Sequence, residues 1–326
     1  MKVSVAMTTY NGEKYILQQL QSLLDQTRTI DEVIIFDDCS KDNTADIVNG
    51  FIEKNSLTNW HFKVNEVNCG FVKNFFNSIK STTGDIIFLC DQDDIWDSHK
   101  IEEISSVMEK NPKVKVVNSA LNFIDQDNRP ITINSSENWI KNPDIYEKGS
   151  ITQIDYLDVY KDNLSPGCTM AFTKEIKDIF VKVGVTKELP HDWEVNMIGS
   201  YLDSLYYYNS KLINYRIHSN NTIGVGSNDI KAKPHLDLNG NINYFRKMYS
   251  RNVLILSIKD YISEDRHSED NNKILKYNEF LKRQLNFLNN INLKNYLEMN
   301  KYLKYNLKGG KGKIFLKNLY FLILRH

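Results

Sequence analysis

Nowhere in these 326 residues is there an apolar stretch long enough to cross a bilayer. The longest run, Leu319 to Leu324, falls far short of the ~20 residues that a membrane-spanning helix needs. Met1-Lys2-Val3-Ser4-Val5 passes straight into an apolar segment, without the charged leader and hydrophobic region of a signal peptide. Cysteine is scarce. Cys39, Cys69, Cys90 and Cys168 lie far apart and make no C-x-x-C pair, so they read as reduced thiols of a cytosolic protein. A surplus of charge is missing too: Lys plus Arg number 41 and Asp plus Glu number 41. No global field therefore draws nucleic acid, and none is expected as a partner.

What the chain does have is Ile86-Ile87-Phe88-Leu89-Cys90, an apolar run that stops at Asp91-Gln92-Asp93-Asp94. Five consecutive non-polar residues read as a strand buried on both faces, with the carboxylates at its C-terminal end. In an open parallel sheet that edge is where ligands bind. Adjacent carboxylates repel by roughly 3 kcal/mol per pair at about 5 Å and an effective dielectric near 20. A divalent cation relieves this, and hard oxygen ligands suit Mg²⁺ or Mn²⁺. Helix capping by Asp97 or Ser98 accounts for Asp97 but leaves Asp91 unexplained.

The rest of the first half repeats a strand-helix pattern. Val3 to Met7, Val33 to Phe36, His61 to Val64, Ile86 to Cys90 and Val114 to Val117 read as strands. The stripes Ile16-Leu17-Leu20-Leu23-Leu24, Thr44-Ile47-Val48-Phe51-Ile52, Val72-Phe75-Phe76-Ile79 and Ile101-Ile104-Val107-Met108 read as helices between them. Short connections make this a parallel α/β sheet, with residues 1–118 as a nucleotide-binding half. From Asn122 to Lys148 the sequence is polar and weakly periodic; a helix is expected near Gln153 to Tyr160, then a strand at Gly167 to Phe172 whose first residue allows close backbone approach to a ligand. A helix at Glu194 to Tyr201 and strands at Leu205 to Tyr208 and Leu212 to Tyr215 complete an acceptor half, residues 119–227. Beyond Asn228 only helical stretches remain, Tyr244 to Ile262 and Ile274 to Asn289 among them, giving a helical region over 228–326. Its tail from Lys301 carries Lys304, Lys308, Lys311, Lys313, Lys317 and Arg325 with no acidic residue, beside Ile314, Phe315, Leu316 and Leu319 to Leu324. A basic, aromatic-rich tail of this kind can lie on an anionic membrane surface or pack on its own domain.

Taken in order, Thr9-Tyr10-Asn11-Gly12, Asp37 to Thr44, Asn68-Cys69-Gly70 with Asn74, Gly84-Asp85, Asp91-Gln92-Asp93-Asp94, Ser165 to Thr169, His191-Asp192-Trp193 and Tyr215 to Asn221 resemble the family 2 glycosyltransferases of GT-A fold. Within that family they are similar to the rhamnosyltransferase-like enzymes of bacterial surface polysaccharide assembly. The resemblance implies a nucleoside-diphosphate sugar donor, UDP- or dTDP-linked, bound by Thr9, Tyr10, Asn11, Asp37 or Asp38, Asn68, Gly70, Asn74, Asp91 and Gln92. It implies that Asp93 binds a divalent metal, Mn²⁺ or Mg²⁺, and that His218 helps hold the metal or the diphosphate. Arg216 is a further candidate for the diphosphate, with an ion pair as the competing explanation.

Asp192 is the implied general base, taking the proton of an acceptor hydroxyl as it attacks the anomeric carbon; Glu194, two residues on, offers the same chemistry. The Q-x-x-R-W motif of processive synthases is missing, which favours transfer of one sugar per encounter. The expected activity is inverting transfer to a saccharide of a capsular, cell-wall or O-antigen type polymer, with a lipid-linked acceptor as partner at the inner face of the membrane. Two rivals stand beside it. A nucleotidyltransferase needs a glycine-rich basic loop after the first strand, which Thr8 to Gly12 does not supply. A non-catalytic sugar-nucleotide binder has no use for a base at Asp192.

Overall fold

The computed structural model describes residues 1–133, 147–184, 186, 188–219, 237–262 and 266–306, with Lys311, Ile314, Lys317, Asn318 and Phe321 in the tail. The chain divides into two compact units, residues 1–185 with 190–227, and residues 186–189 with 228–326.

Among the described residues, the first unit is built on a sheet of ten strands. β1 (Val3–Thr9) pairs in parallel with β2 (Glu32–Asp37), which pairs in parallel with β3 (Trp60–Val64). On its other side β1 pairs in parallel with β4 (Ile86–Cys90). β1, β2 and β4 are buried along their whole lengths, as continuous Val, Ile and Phe runs require when helices cover both faces of a sheet. The helices between them are α1 (Ile16–Leu24), α2 (Thr44–Lys54) and α3 (Phe71–Ser81), the last lying against β1 and β2. Val5, Met7, Ile16, Leu20, Val33, Ile35, Val48 and Phe88 share one core.

Past β4 the sheet becomes mixed. The short β5 (Ile95–Trp96) and α4 (Lys100–Lys110) lead to β6 (Val116–Ile124) and β7 (Pro130–Ile131). β8 (Ile151–Gln153) and α5 (Tyr156–Lys161) follow the undescribed stretch 134–146. β9 (Met170–Thr173) then enters antiparallel between β4 and β6. α6 (Lys174–Val183) and α7 (His191–Tyr201) lead to β10 (Leu205–Arg216), which runs parallel to β6 and antiparallel to β5.

Several local expectations change. The strand expected from Gly167 begins at Met170, because Gly167–Thr169 closes a 3-10 turn before it. The two late strands are one, because the polar Asn209-Ser210-Lys211 is absorbed as register shifts between Tyr208 and Asn214 instead of a turn. The helix expected from Gln153 begins at Tyr156, since Ile151–Gln153 pairs with β10 and Asp155 caps the helix by accepting from Leu157 N. α6 went unanticipated, its apolar Ile176, Ile179 and Phe180 being diluted by Lys174, Glu175, Lys177 and Asp178.

The second unit contains α8 (Leu238–Ile262), α9 (Ser268–Asn289) and α10 (Leu293–Tyr302), packed around Phe245, Met248, Tyr277, Phe280, Phe287 and Met299. Most of the basic tail, including Lys308, Lys313 and Arg325, lies outside the described residues, as do Asn220 and Asn221 of the loop after β10. No helix among the described residues is long and apolar enough to cross a membrane.

Candidate active site

Because β1, β2 and β4 are parallel, their C-terminal ends deliver Thr9, Asp37-Asp38 and Asp91 to the same edge of the sheet. β9 runs the other way, so the turn before it, Gly167–Thr169, meets the end of β4 at that edge. The result is a cleft of about 700 Å³. Thr9, Tyr10, Asn11, Asp38, Asn68, Gly70, Asn74, Asp91, Gln92, Asp93, Asp192 and His218 all line it.

One wall is organised by Asp38. Its Oδ1 accepts from Cys69 N at 2.8 Å and Asn65 Nδ2 at 3.0 Å, and its Oδ2 from Gly70 N at 2.8 Å. Burial alone would raise this carboxyl, but these hydrogen bonds hold it below the usual carboxylate range. Gly70 stands at φ +80°, a conformation that favours glycine, and it leads into α3. Asn68 is held to Asp38 O, while Asn74 bonds Phe36 O and Asn65.

A second lock joins the loops after β1 and β4: Tyr10 N donates to Gln92 Oε1 at 2.8 Å and Gln92 Nε2 returns a bond to Tyr10 O at 3.0 Å. A Cβ at Gly12 would stand 2.3 Å from Gln92 Oε1, so the lock needs glycine there. Asn11 faces the β2 loop, its N donating to Ser40 Oγ and its Oδ1 accepting from Lys41 N.

Two candidates are placed elsewhere. Asp37 is fully buried and does not line the cleft; Thr9 Oγ1, Ser40 Oγ and Ser40 N donate to its carboxylate. Of the adjacent pair, only Asp38 faces ligand space. Arg216 is also fully buried and off the cleft. Its guanidinium donates to Asp93 O, Asp125 O, Asn128 Oδ1 and Gln18 Oε1 and lies 4.5 Å from the Tyr15 ring centre. Its backbone N donates to Asp94 Oδ1. Arg216 is thus a clamp behind the acidic loop, its donors consumed by the protein.

The acidic loop divides by depth. Asp91 and Asp93 reach the cleft, and His218 Nε2 lies 2.9 Å from Asp93 Oδ2, with the imidazole against Tyr15 at 5.0 Å between ring centres. Asp94 is buried beneath, beside Cys168 and the fully buried Lys100, whose Nζ donates to Cys168 O. Burial and the charges of Asp94, Asp93 and Asp192 push Asp91 well up. Burial and Asp93 raise Asp94 to about 7, and burial lowers Lys100 to about 8.

Two donor sets could hold a cation. Asp91, Asp94 and Cys168 come within 4.8 Å of one another, but burial keeps the Cys168 thiol well above its ordinary value, and a neutral thiol is a poor ligand for a hard cation. Asp91, Asp93 and His218 are open to the cleft and offer oxygen and imidazole donors. The like-charge strain on Asp91 and Asp94 is what a divalent cation relieves, so the open set fits one.

Across the cleft, Asp192 sits in the first turn of α7 and is nine-tenths buried. Asn163 Nδ2 donates to its Oδ2 at 3.0 Å and Trp193 N to its Oδ1 at 2.7 Å. Burial outweighs these bonds and raises its pKa to about 6. Glu194 is fully buried and does not line the cleft. Tyr15, Lys14, Asn163, Phe75 and His191 also line it. Sequence reasoning gave them no role; only His191, inside the His191-Asp192-Trp193 motif, carried a signal.

Residues 4–178 match the sequence model of Glycosyl transferase family 2. The chain belongs to this glycosyltransferase family. It is 29% identical over 238 residues to the dTDP-rhamnosyl transferase RfbG of Shigella flexneri, covering 70% of this chain and 76% of that one. An uncharacterized glycosyltransferase of Haemophilus influenzae is 25% identical over 281 residues, 84% of this chain and 83% of the other. Among solved structures, S. aureus TarS 1-349 in complex with UDP-GlcNAc superposes with a TM-score of 0.63 at 19% identity, over 99% of this chain and 89% of that one. The GT-A fold and the glycosyltransferase assignment expected from the motifs both stand, with the helical C-terminal region present.

Proposed function

We propose that this glycosyltransferase moves one sugar from a UDP- or dTDP-linked donor to a hydroxyl of a growing bacterial surface polysaccharide, inverting the anomeric centre. The observation that carries the reading is the pairing, in one cleft, of the Asp91 and Asp93 carboxylates with a separate carboxylate, Asp192, tuned to about 6. A base near this pKa is ionised at neutral pH yet still accepts a proton readily.

Asp38, Asn68 and Gly70 form the wall suited to base and ribose, since a carboxylate and an amide accept from base N–H and ribose hydroxyl groups. Asp91, Asp93 and His218 would hold a divalent cation, Mn²⁺ or Mg²⁺, which when bound supplies Lewis-acid stabilisation of the diphosphate leaving group. Asp192 receives the proton of the acceptor hydroxyl while that oxygen bonds the anomeric carbon and the carbon–phosphate-oxygen bond breaks. Attack opposite the leaving group inverts the centre. Asn163 and Trp193 N hold the carboxylate in place through the proton transfer.

The two named relatives support both nucleotides: one is a dTDP-rhamnosyl transferase, and TarS is a poly(ribitol-phosphate) β-N-acetylglucosaminyltransferase crystallised with UDP-GlcNAc. Rhamnose is the sugar we test first. The acceptor we favour is lipid-linked, with the basic tail on an anionic membrane surface. Deleting residues 301–326 is expected to abolish binding to anionic liposomes, and unchanged binding would remove that part of the reading.

The test is nucleoside diphosphate release from UDP- and dTDP-sugars, with product configuration read by NMR. One donor is expected to turn over with inversion, and Asp192→Asn to lower kcat by about 10²- to 10⁴-fold with donor binding retained. Turnover with retention, or an unaffected variant, contradicts the proposal.

A further inference from the structure

The cleft carries more negative charge than a single metal ion offsets. Asp38, Asp91, Asp93 and Asp192 line it, and a nucleoside-diphosphate sugar brings further negative charge into the same space. The neighbouring cationic side chains are mostly spent elsewhere. Arg216 is fully buried off the cleft, with its guanidinium on Asp93 O, Asp125 O, Asn128 Oδ1 and Gln18 Oε1. Lys100 is fully buried on Cys168 O. Lys41, in the loop after β2, donates to Cys39 Sγ at 3.2 Å and does not line the cleft.

Among the described residues, Lys14 is the only lysine or arginine that lines the cleft. It is exposed, and its ammonium makes no ion pair with a described residue. The loop that presents it is fixed at both ends. Gly12 N donates to Thr44 Oγ1 at 2.8 Å, and Gly12 O accepts from Tyr15 N and Ile16 N, each at 3.0 Å. Glu13, the neighbour able to neutralise the lysine, is held by Asn43, whose N and Nδ2 donate to Glu13 Oε2 at 3.0 and 2.8 Å. Lys14 Nζ rests over the Tyr15 ring, 4.9 Å from its centre. The same ring meets His218 at 5.0 Å between centres, and His218 Nε2 lies 2.9 Å from Asp93 Oδ2. The ammonium is therefore parked beside the open cation-binding set, on an aromatic face that holds a cation only weakly where water reaches it.

We infer that Lys14 binds the diphosphate of the donor, its ammonium leaving the Tyr15 ring to meet the phosphate oxygens. The inference rests on the nucleotide-sugar reading of this cleft, and it gives Lys14 the contact that the sequence alone offers to Arg216. An ammonium on a long flexible stem suits this task, because it acts as a point charge and needs no fixed fork to find a phosphate oxygen.

The experiment titrates two series, uridine, UMP and UDP, and thymidine, dTMP and dTDP, into full-length wild type, Lys14→Met and Lys14→Arg. Nucleosides are followed by NMR and nucleotides by calorimetry, with chelator and with Mn²⁺, at low and high salt. Lys14→Met keeps an apolar stem against Tyr15 and removes the charge. It is expected to bind the nucleoside as the wild type does and to lose about 5- to 20-fold in affinity for the diphosphate. The loss is expected with chelator as well, since this charge belongs to the chain. Lys14→Arg should retain most of the diphosphate affinity. Salt should weaken diphosphate binding more steeply in the wild type than in Lys14→Met, as screening of an exposed charge requires.

Unchanged diphosphate affinity in Lys14→Met overturns the inference while the functional reading stands. An equal loss for nucleoside and diphosphate also overturns it, because the lysine would then shape the cleft instead of meeting phosphate. If neither series binds the wild type in any condition, the functional reading fails and takes the inference with it.

Discussion

Asp192 is the residue at which function and stability pull in opposite directions. Its folded pKa is raised, from 3.8 to about 6, so the folded chain holds the proton more tightly than the unfolded chain does. Stability therefore declines as pH climbs through that interval, and above it the buried charge costs about 3 kcal/mol. Asp192→Asn removes the charge, so we expect its urea midpoint at pH 7.5 to exceed that of the wild type, with the advantage shrinking towards pH 5. The same titration should appear in turnover: kcat/KM is expected to fall below about pH 6 as the base protonates, a limb that the residual activity of Asp192→Asn lacks. Arg216 carries the opposite expectation. Five hydrogen bonds tie its side chain and backbone around the acidic loop, and Lys cannot reproduce that planar fork. Arg216→Lys should lower stability by about 3 kcal/mol, read by urea denaturation, because the buried carbonyl and amide oxygens that the guanidinium serves are left short of donors. The sequence could not announce this. A lone arginine in a polar segment looks the same whether its guanidinium faces a diphosphate or is used up inside the protein, and Asp37 and Asp38 differ only in which way each side chain turns at the end of β2.

At the scale of elements, what was legible is what periodicity encodes. Runs such as Val33 to Phe36 and Ile86 to Cys90 are apolar on both faces and can only be central strands. Their parallel order brings the motif loops to one edge. What periodicity does not encode is insertion: β9 is four residues placed antiparallel between strands far from it in sequence, and β5 is two residues paired to the end of β10. These contacts bring Gly167 and the loop after β10 to the carboxylates, so half the candidate site depends on pairings with no local signature. The packing of α7 on the sheet is testable here. A Cβ at Gly199 would stand 2.5 Å from Val116 Cγ2, so Gly199→Ala should push α7 off β6 and cost about 1–3 kcal/mol by overpacking. Because α7 carries Asp192, donor-dependent turnover should fall in the same variant.

For the whole molecule, we propose that a sheet edge crowded with carboxylates is completed by a nucleotide sugar and a divalent cation. The charge balance of the chain conceals this: equal numbers of acidic and basic residues say nothing of Asp38, Asp91, Asp93 and Asp192 converging on one cleft, with the buried Lys100 held beneath it on Cys168 O. Calorimetric titration of dTDP-rhamnose and UDP-N-acetylglucosamine into wild type and Asp93→Ala, each with Mn²⁺ and with chelator, tests this completion of the site. One donor is expected to bind the wild type at least about tenfold more tightly with Mn²⁺, and this gain to vanish in Asp93→Ala. Equal affinity with chelator and with Mn²⁺, or a gain that survives in Asp93→Ala, would contradict it.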